Sequence, residues 1–268
     1  MRLIFLGCSD SKGVPRVGCE CDVCRNVLSP GSRNYRTGPS AVISYGPPYA
    51  QRTVLIDTAP EFRLQAAGLS LRQVDALLIT HAHDDHILGF STLVNAHRLA
   101  ERQLPIYAPD HVLEEVRKRF EYIWTDKIYR KVIQPQTIDG TVDLWGLGIR
   151  PLRVDHGYNG SAYGYLLTLG SRRLAYVSDM LRATAELRET LTGLDLLVLG
   201  ANHYYEGIEL WRRSVMDVTG ALELIDQVAP TRAILTHLSH TIDYDQVSAK
   251  LPPNVSLAYD GLAVEVPE

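Results

Sequence analysis

Between positions 81 and 86 the chain sets three imidazoles and two carboxylates side by side: His81-Ala82-His83-Asp84-Asp85-His86. Imidazole and carboxylate donors together suit zinc, manganese or iron, and so dense a mixed set can hold two ions. A turn without a ligand gains nothing from crowding these groups, so donor type and spacing point to a metal site. Upstream, Cys19-Glu20-Cys21-Asp22-Val23-Cys24 places three thiols where they can wrap one tetrahedral ion, provided a fourth ligand arrives from elsewhere. A reactive thiol group or an iron–sulfur fragment is the alternative, but an iron–sulfur cluster would want a fourth Cys. Cys8 belongs to a different loop, and a His is the better fourth ligand.

Such groups need rigid supports, and the sequence supplies them as short apolar runs. Ala76-Leu77-Leu78-Ile79 reads as a buried strand running straight into Thr80 and the His-rich segment. Leu152-Arg153-Val154 leads to Asp155-His156, and Leu174-Ala175-Tyr176-Val177 leads to Ser178-Asp179. The run 194–199 ends near His203, and 232–235 delivers Thr236-His237-Leu238-Ser239-His240. Strand ends that repeatedly carry His or Asp suggest ligands converging at one edge of a sheet.

Further strands are expected at 2–7, 40–45, 52–57, 105–108, 142–145, 148–154, 162–169 and 172–178, and near 255–258 and 262–266 with Asp260-Gly261 as their turn. Asp57-Thr58-Ala59-Pro60 opens a helix to about Gly68, and helices are also expected at 91–102, from Pro109-Asp110-His111 to about Tyr122, and at 214–229. Asp57 suits either a partner of a metal-bound His or a helix cap. Asp84 suits a supporting or a structural role, His97 a structural one and His111 a solvated one. Residues 123–140 read as a lid or rim in which Tyr122, Trp124, Tyr129 and Arg130 face a substrate or simply pack. Alternation of strands and helices in both halves argues α/β.

With 268 residues, 46% hydrophobic and 22% charged, the composition is that of a soluble globular protein. A net charge of −4 offers no basic field for nucleic acid, which argues against it as a partner. No apolar run approaches the roughly 20 residues that span a bilayer. Met1-Arg2 leads directly into Leu3-Ile4-Phe5-Leu6, too short for an export signal, so a cytoplasmic location and no membrane partner are expected.

The set His81-x-His83-x-Asp85-His86, His156, Asp179 and His237 resembles the metal signature of the metallo-β-lactamase superfamily. Gly13-Val14-Pro15, Gly18 to Cys24, Thr236 to His240 and an Asp-Gly near the C-terminus are similar to the PhnP-type phosphodiesterases within it. The resemblance covers nearly the whole chain and implies the metallo-β-lactamase fold, a four-layer αβ/βα sandwich forming a single domain over 1–268, with the metal site at an edge between two sheets. It implies that His81, His83 and His156 hold one ion, that Asp85, His86 and His237 hold the other, and that Asp179 bridges them. It makes His240 the fourth ligand of the cysteine cluster and His203 the general acid. Two divalent ions (manganese or zinc, with iron as a further option) and one structural zinc are expected. The chain departs from the family at Cys8 and at Asp10, whose charge would lie near any bound phosphate.

The expected activity is hydrolysis of a small phosphodiester, cyclic on ribose or a nucleotide, by an activated hydroxide, with Asp179 and His203 catalytic. Rivals of the same fold are a tRNA 3′-processing nuclease, a glyoxalase-like thioesterase, and a PqqB-like metal-dependent binding or carrier protein. A homodimer is left open.

Overall fold

The computed structural model describes residues 1–29 and 31–266. The first half runs β1 (Arg2–Gly7), α1 (Asp22–Asn26), β2 (Ser40–Tyr45), β3 (Arg52–Ile56), α2 (Phe62–Gly68), β4 (Ala76–Leu78), α3 (Asp84–Ile87), α4 (Phe90–Leu99), β5 (Leu104–Ala108), α5 (Asp110–Arg119), α6 (Glu121–Thr125) and β6 (Ile133–Thr137). The second runs β7 (Val142–Leu144), β8 (Leu147–Asp155), β9 (Ser161–Leu169), β10 (Arg172–Val177), α7 (Ala185–Leu191), β11 (Leu196–Gly200), α8 (Val218–Val228), β12 (Arg232–Thr236), α9 (Tyr244–Ser248), β13 (Val255–Leu257) and β14 (Ala263–Glu265).

Two seven-stranded sheets result, in the orders β14-β1-β2-β3-β4-β5-β6 and β13-β12-β11-β10-β9-β8-β7. Side chains alternate across each sheet as the pleat requires. Val54 and Ile56 of β3 face a core shared with Ile149, Leu167, Leu174 and Val198 of the other sheet. Leu55, between them, faces the opposite way onto Phe90, Val94 and Val116 of the helical layer. On the second sheet Leu197 and Leu199 pack outward against Leu187, Leu191, Leu224 and Ile225. Helix, sheet, sheet, helix gives the four layers of a metallo-β-lactamase fold.

The helices obey local rules. In α8, Val218, Ala221, Leu224, Ile225 and Val228 are buried at helical spacing, the Asp217 carboxylate caps the N-terminus by accepting from the N–H of Gly220, and the chain turns away through Ala229 with a left-handed φ of 43°. Strands β10, β11, β12 and β13 are parallel neighbours, so the connections after β10, β11 and β12 emerge on the same edge. β8 runs in that direction too, being antiparallel to β9, which is antiparallel to β10. That edge faces the end of β4: the N–H of Tyr163 donates to Thr80 O (3.1 Å), and the Tyr165 hydroxyl donates to Ile79 O (2.6 Å).

Several sequence expectations need correction. The last two strands do not form a hairpin: β13 pairs with β12, whereas β14 crosses to the other sheet and pairs with β1. Asp57 opens no helix, since α2 starts at Phe62 after Glu61. The helix expected over 214–229 starts only after the Asp217 cap. Residues 123–140 are no lid: Ile133–Thr137 forms edge strand β6, Trp124 packs on Phe90, and the Tyr129 hydroxyl donates to Asn95 of α4. No helix among the described residues is long and apolar enough to cross a membrane.

Candidate metal centre

Five connections at the sheet edges supply the centre. His81 and His83 lie between β4 and α3, and Asp85 and His86 occupy the first turn of α3. His156 follows β8, Asp179 follows β10, His203 follows β11 and His237 follows β12. Gly157 allows the tight exit after His156: its φ is +61°, and a Cβ there would collide with the carbonyl of Arg213. His237 and Asp57 hold left-handed φ values of 57° and 59° without being glycine. For residues with a Cβ this costs of order 1–2 kcal/mol each, a strain commonly found at functional sites.

The structure brings the seven expected ligands together. His83 Nδ1 lies 2.9 Å from His81 Nε2 and 3.4 Å from His156 Nε2. His86 Nε2 lies 3.4 Å from Asp85 Oδ2, and His237 Nε2 lies 3.6 Å from the same oxygen. Asp179 sits between the two groups: Oδ2 is 3.2 Å from His86 Nε2, while Oδ1 is 3.2 Å from His237 Nε2 and 3.9 Å from His156 Nε2. The sets His81/His83/His156, Asp85/His86/His237 and His81/His86/Asp179 each have donor atoms within 4.8 Å of one another.

Divalent ions fit this arrangement. His86 Nε2, His237 Nε2 and Asp179 Oδ2 are buried and have no hydrogen-bond partner, a costly condition for polar atoms unless an ion takes their lone pairs. Burial holds His81 well below the ordinary histidine range and lowers His83 and His156, which leaves these imidazoles neutral and free to coordinate. Burial opposes ionisation of Asp85 and Asp179, yet the neighbouring His86 and His237 hold both carboxyls below the usual range. Burial opposes charge on His86 too, but Asp85, Asp179 and Asp57 raise it well above the ordinary value.

The backing contacts fix which nitrogen faces inward. His86 Nδ1 is 2.7 Å from the fully buried Asp57 carboxylate, which also accepts from the Thr80 N–H and hydroxyl. The structure thus gives Asp57 the partner role and not the cap. His156 Nδ1 donates to Ser214 O (2.9 Å). Asp84, in contrast, is exposed and pairs with Arg119. His97 is buried against Gln103 O, and His111 is exposed and lies against Tyr163 with ring centroids 5.4 Å apart and the planes tilted by 48°. A cleft of about 490 Å³ opens beside His81 and His83, lined also by His111, Glu115, Lys118, Arg119 and Asn159.

His203 is half-buried. Its Nδ1 lies 2.8 Å from Thr241 Oγ1 and 3.1 Å from Ser239 Oγ, and its Nε2 lies 3.8 Å from Glu206 Oε1. Glu206 is in turn held by Arg213, which also pairs with Asp217. Asp10 does not leave a bare charge nearby: it is buried, paired with Arg16, and accepts from the N–H of Lys12.

The second cluster is small and peripheral. His240 Nδ1 lies 3.2, 3.5 and 3.7 Å from the sulfurs of Cys19, Cys21 and Cys24. Three thiols and one imidazole within bonding reach of a common point are the donor set of a tetrahedral structural zinc. Cys8 stays apart; its buried thiol donates to Asp260, and burial raises it well above the ordinary thiol range. Arg36 was not legible as a contributor. Fully buried, its guanidinium donates to the carbonyls of Ser239 and Ile242 and so clamps both ends of the segment that carries His240.

Comparison with known proteins agrees with this geometry. The profile of the beta-lactamase superfamily domain matches residues 52–238. A solved diphosphatase from the PhnP family superposes with a TM-score of 0.85 at 28% identity, covering 98% of this chain and 97% of that one. Zn(2+)-bound PqqB from Methylobacterium extorquens superposes with a TM-score of 0.78 at 22% identity, over 99% of this chain and 100% of that one. An octanoyltransferase from Porphyromonas gingivalis is 32% identical over 276 residues, which is 100% of this chain but 52% of the relative. The chain thus spans about half the length of that relative.

Proposed function

We propose that this chain, which belongs to the beta-lactamase superfamily and within it is of the PhnP type, is a metal-dependent hydrolase of small phosphodiesters, cyclic on ribose or nucleotide-derived. The observation that carries this reading is the convergence of seven nitrogen and oxygen donors, six of them on buried residues and several unpartnered, with an imidazole outside that set. His81, His83 and His156 would hold one divalent ion, Asp85, His86 and His237 a second, and Asp179 would serve both. Ions held there supply Lewis acidity, lowering the pKa of a water toward neutrality and offsetting charge on phosphate oxygens.

The chain's own groups do the rest. Asp57 and Ser214 O fix the rings of His86 and His156, so their inward nitrogens keep free lone pairs. As hydroxide bonds to phosphorus and the bond to the departing oxygen breaks, that oxygen takes the proton held at Nε2 of His203. Such a positioned acid contributes about 10²–10⁴ in rate. The cleft beside His81 and His83 has the volume of a small-molecule site, and Lys118 offers a cation to an anionic substrate. The Asp10–Arg16 pairing supports the phosphate reading, because it removes the repulsion that an isolated carboxylate would exert.

Purified protein supplied with Mn²⁺ should cleave bis(p-nitrophenyl) phosphate and 2′,3′-cyclic nucleotides and leave a thioester and a β-lactam intact. If the metal-loaded protein turns over no phosphodiester, the reading fails and a PqqB-like binding role takes its place.

A further inference from the structure

We propose that Thr241, together with Ser239, is a positioning residue for His203, and that the cysteine cluster keeps Thr241 in place through His240. The inference rests on the role given to His203 above. The three residues are consecutive, and they face two centres. His240 lies against the thiols of Cys19, Cys21 and Cys24, while the hydroxyls on either side of it converge on Nδ1 of His203 at 3.1 and 2.8 Å.

As an acid His203 is an imidazolium, and its Nδ1–H then donates to the hydroxyl oxygens of Thr241 and Ser239. Nε2 is the nitrogen nearest Glu206, whose carboxylate favours a proton there. Release of the Nε2 proton to the leaving oxygen leaves a neutral ring whose remaining proton stays on Nδ1, so the hydroxyls orient the ring before and after the transfer.

The two hydroxyls are anchored differently. Ser239 is buried; its N–H donates to Asn202 O (2.9 Å), and its carbonyl accepts from Arg36. Arg36 also takes the carbonyl of Ile242. Between these clamps His240 and Thr241 form the crown of the segment. Thr241 is exposed, and its N–H donates to the Ser239 hydroxyl (3.2 Å). The Ile242 N–H closes this turn on Ser239 O (3.1 Å), and the contact of His240 with the thiols holds its outer side. A second strut runs from the cluster: the N–H of Arg16 donates to Cys24 Sγ (3.4 Å), and Arg16 pairs with Asp10.

The test compares wild type, Thr241→Val, Thr241→Ser and Cys21→Ser, all supplied with Zn²⁺. ¹⁵N NMR of the histidine rings should show the Nδ1–H form of neutral His203 in wild type and Thr241→Ser, and a mixture of tautomers in Thr241→Val and Cys21→Ser. Turnover of a phosphodiester with an alkyl leaving group should fall at least about tenfold in Thr241→Val, as expected for a misplaced acid. Cleavage of a p-nitrophenyl ester, whose leaving group needs no acid, should stay within about twofold. Equal losses on both esters, or an unchanged His203 spectrum in Thr241→Val, would overturn the positioning role. An unchanged spectrum in a folded Cys21→Ser that has lost its ion would overturn the coupling, and His240→Gln gives the same reading if Cys21→Ser does not fold. The spectra need no turnover: an inert wild type with these tautomer shifts would remove the proposed function and keep the coupling.

Discussion

The two donor clusters solve the same problem in opposite ways. The His/Asp centre joins four residues of the His81–His86 segment on one sheet to three single residues from separate connections of the other, and its members are almost entirely buried. The cysteine cluster takes three of its four donors from one short segment at the start of α1, and Cys19, Cys21 and His240 remain partly exposed. A dispersed set exists only once both sheets are packed, so the fold determines it. A local set closed by one remote residue works in reverse: an ion there ties residue 24 to residue 240 and adds its binding energy to folding. The difference teaches which centre tolerates change. The dispersed one is held by neighbours whatever occupies it, whereas the local one has little besides its ligands.

The largest effect should come from the dispersed centre. Asp179→Asn removes the carboxylate that lies between both donor groups and should lower turnover at least about 10³-fold and release at least one ion, as measured by activity and elemental analysis. Survival of both would show that the carboxylate is not shared. Next, Asp57→Asn should weaken metal affinity about 10–100-fold through the His86 ring alone, with zinc at the cysteines retained. Titration with a competing chelator measures this, and unaltered affinity would mean that packing, not Asp57, orients His86. Cys21→Ser should release one zinc, spare the other ions and lower Tm by about 5–10 °C in calorimetry, equivalent to a few kcal/mol in a chain of this size. An unaltered melting curve would contradict the stapling role.

The smallest effect lies outside both centres. Burial pushes the Asp260 carboxyl up to about 6, although Thr37 and Cys8 donate to it. The unfolded chain then loses this proton at lower pH than the native one. Stability should therefore fall between about pH 4 and pH 6 and level off above, by at most about 3 kcal/mol. Urea unfolding at pH 4.5 and 6.5 should show this slope in excess over Asp260→Asn; an equal slope in both would acquit Asp260.

The same contrast explains what the sequence made legible. The cysteine cluster and the segment from His81 to His86 are contiguous, so donor type and spacing are visible without a fold. Ligands such as His156 and Asp179 stand alone, and only their place after apolar strands, or a family resemblance, marks them. Asp57 stayed ambiguous because Asp before Thr-Ala-Pro looks the same whether it starts a helix or backs an imidazole. Strand β6 was hidden by Pro135 and by three polar residues in a five-residue edge strand. The separation of β13 from β14 was hidden because Asp260-Gly261 is a turn in either topology, and only sheet packing decides which neighbours the flanking strands find. Arg36 had no periodic or spacing signal at all.

The backbone at Asp57 and His237, both turned into the region glycine favours, carries an evolutionary consequence. Under selection for folding alone, glycine at 237 would relax the chain, whereas glycine at 57 would relax it but leave the donors of Thr80 and His86 unpaired. A library screened only for heat resistance should therefore accept glycine at 237 more readily than at 57, while one screened for turnover should purge it at both. The side chains at 57 and 237 are thus kept at a standing cost to the stability of the backbone, offset only by what they hold at the edge of the sheets.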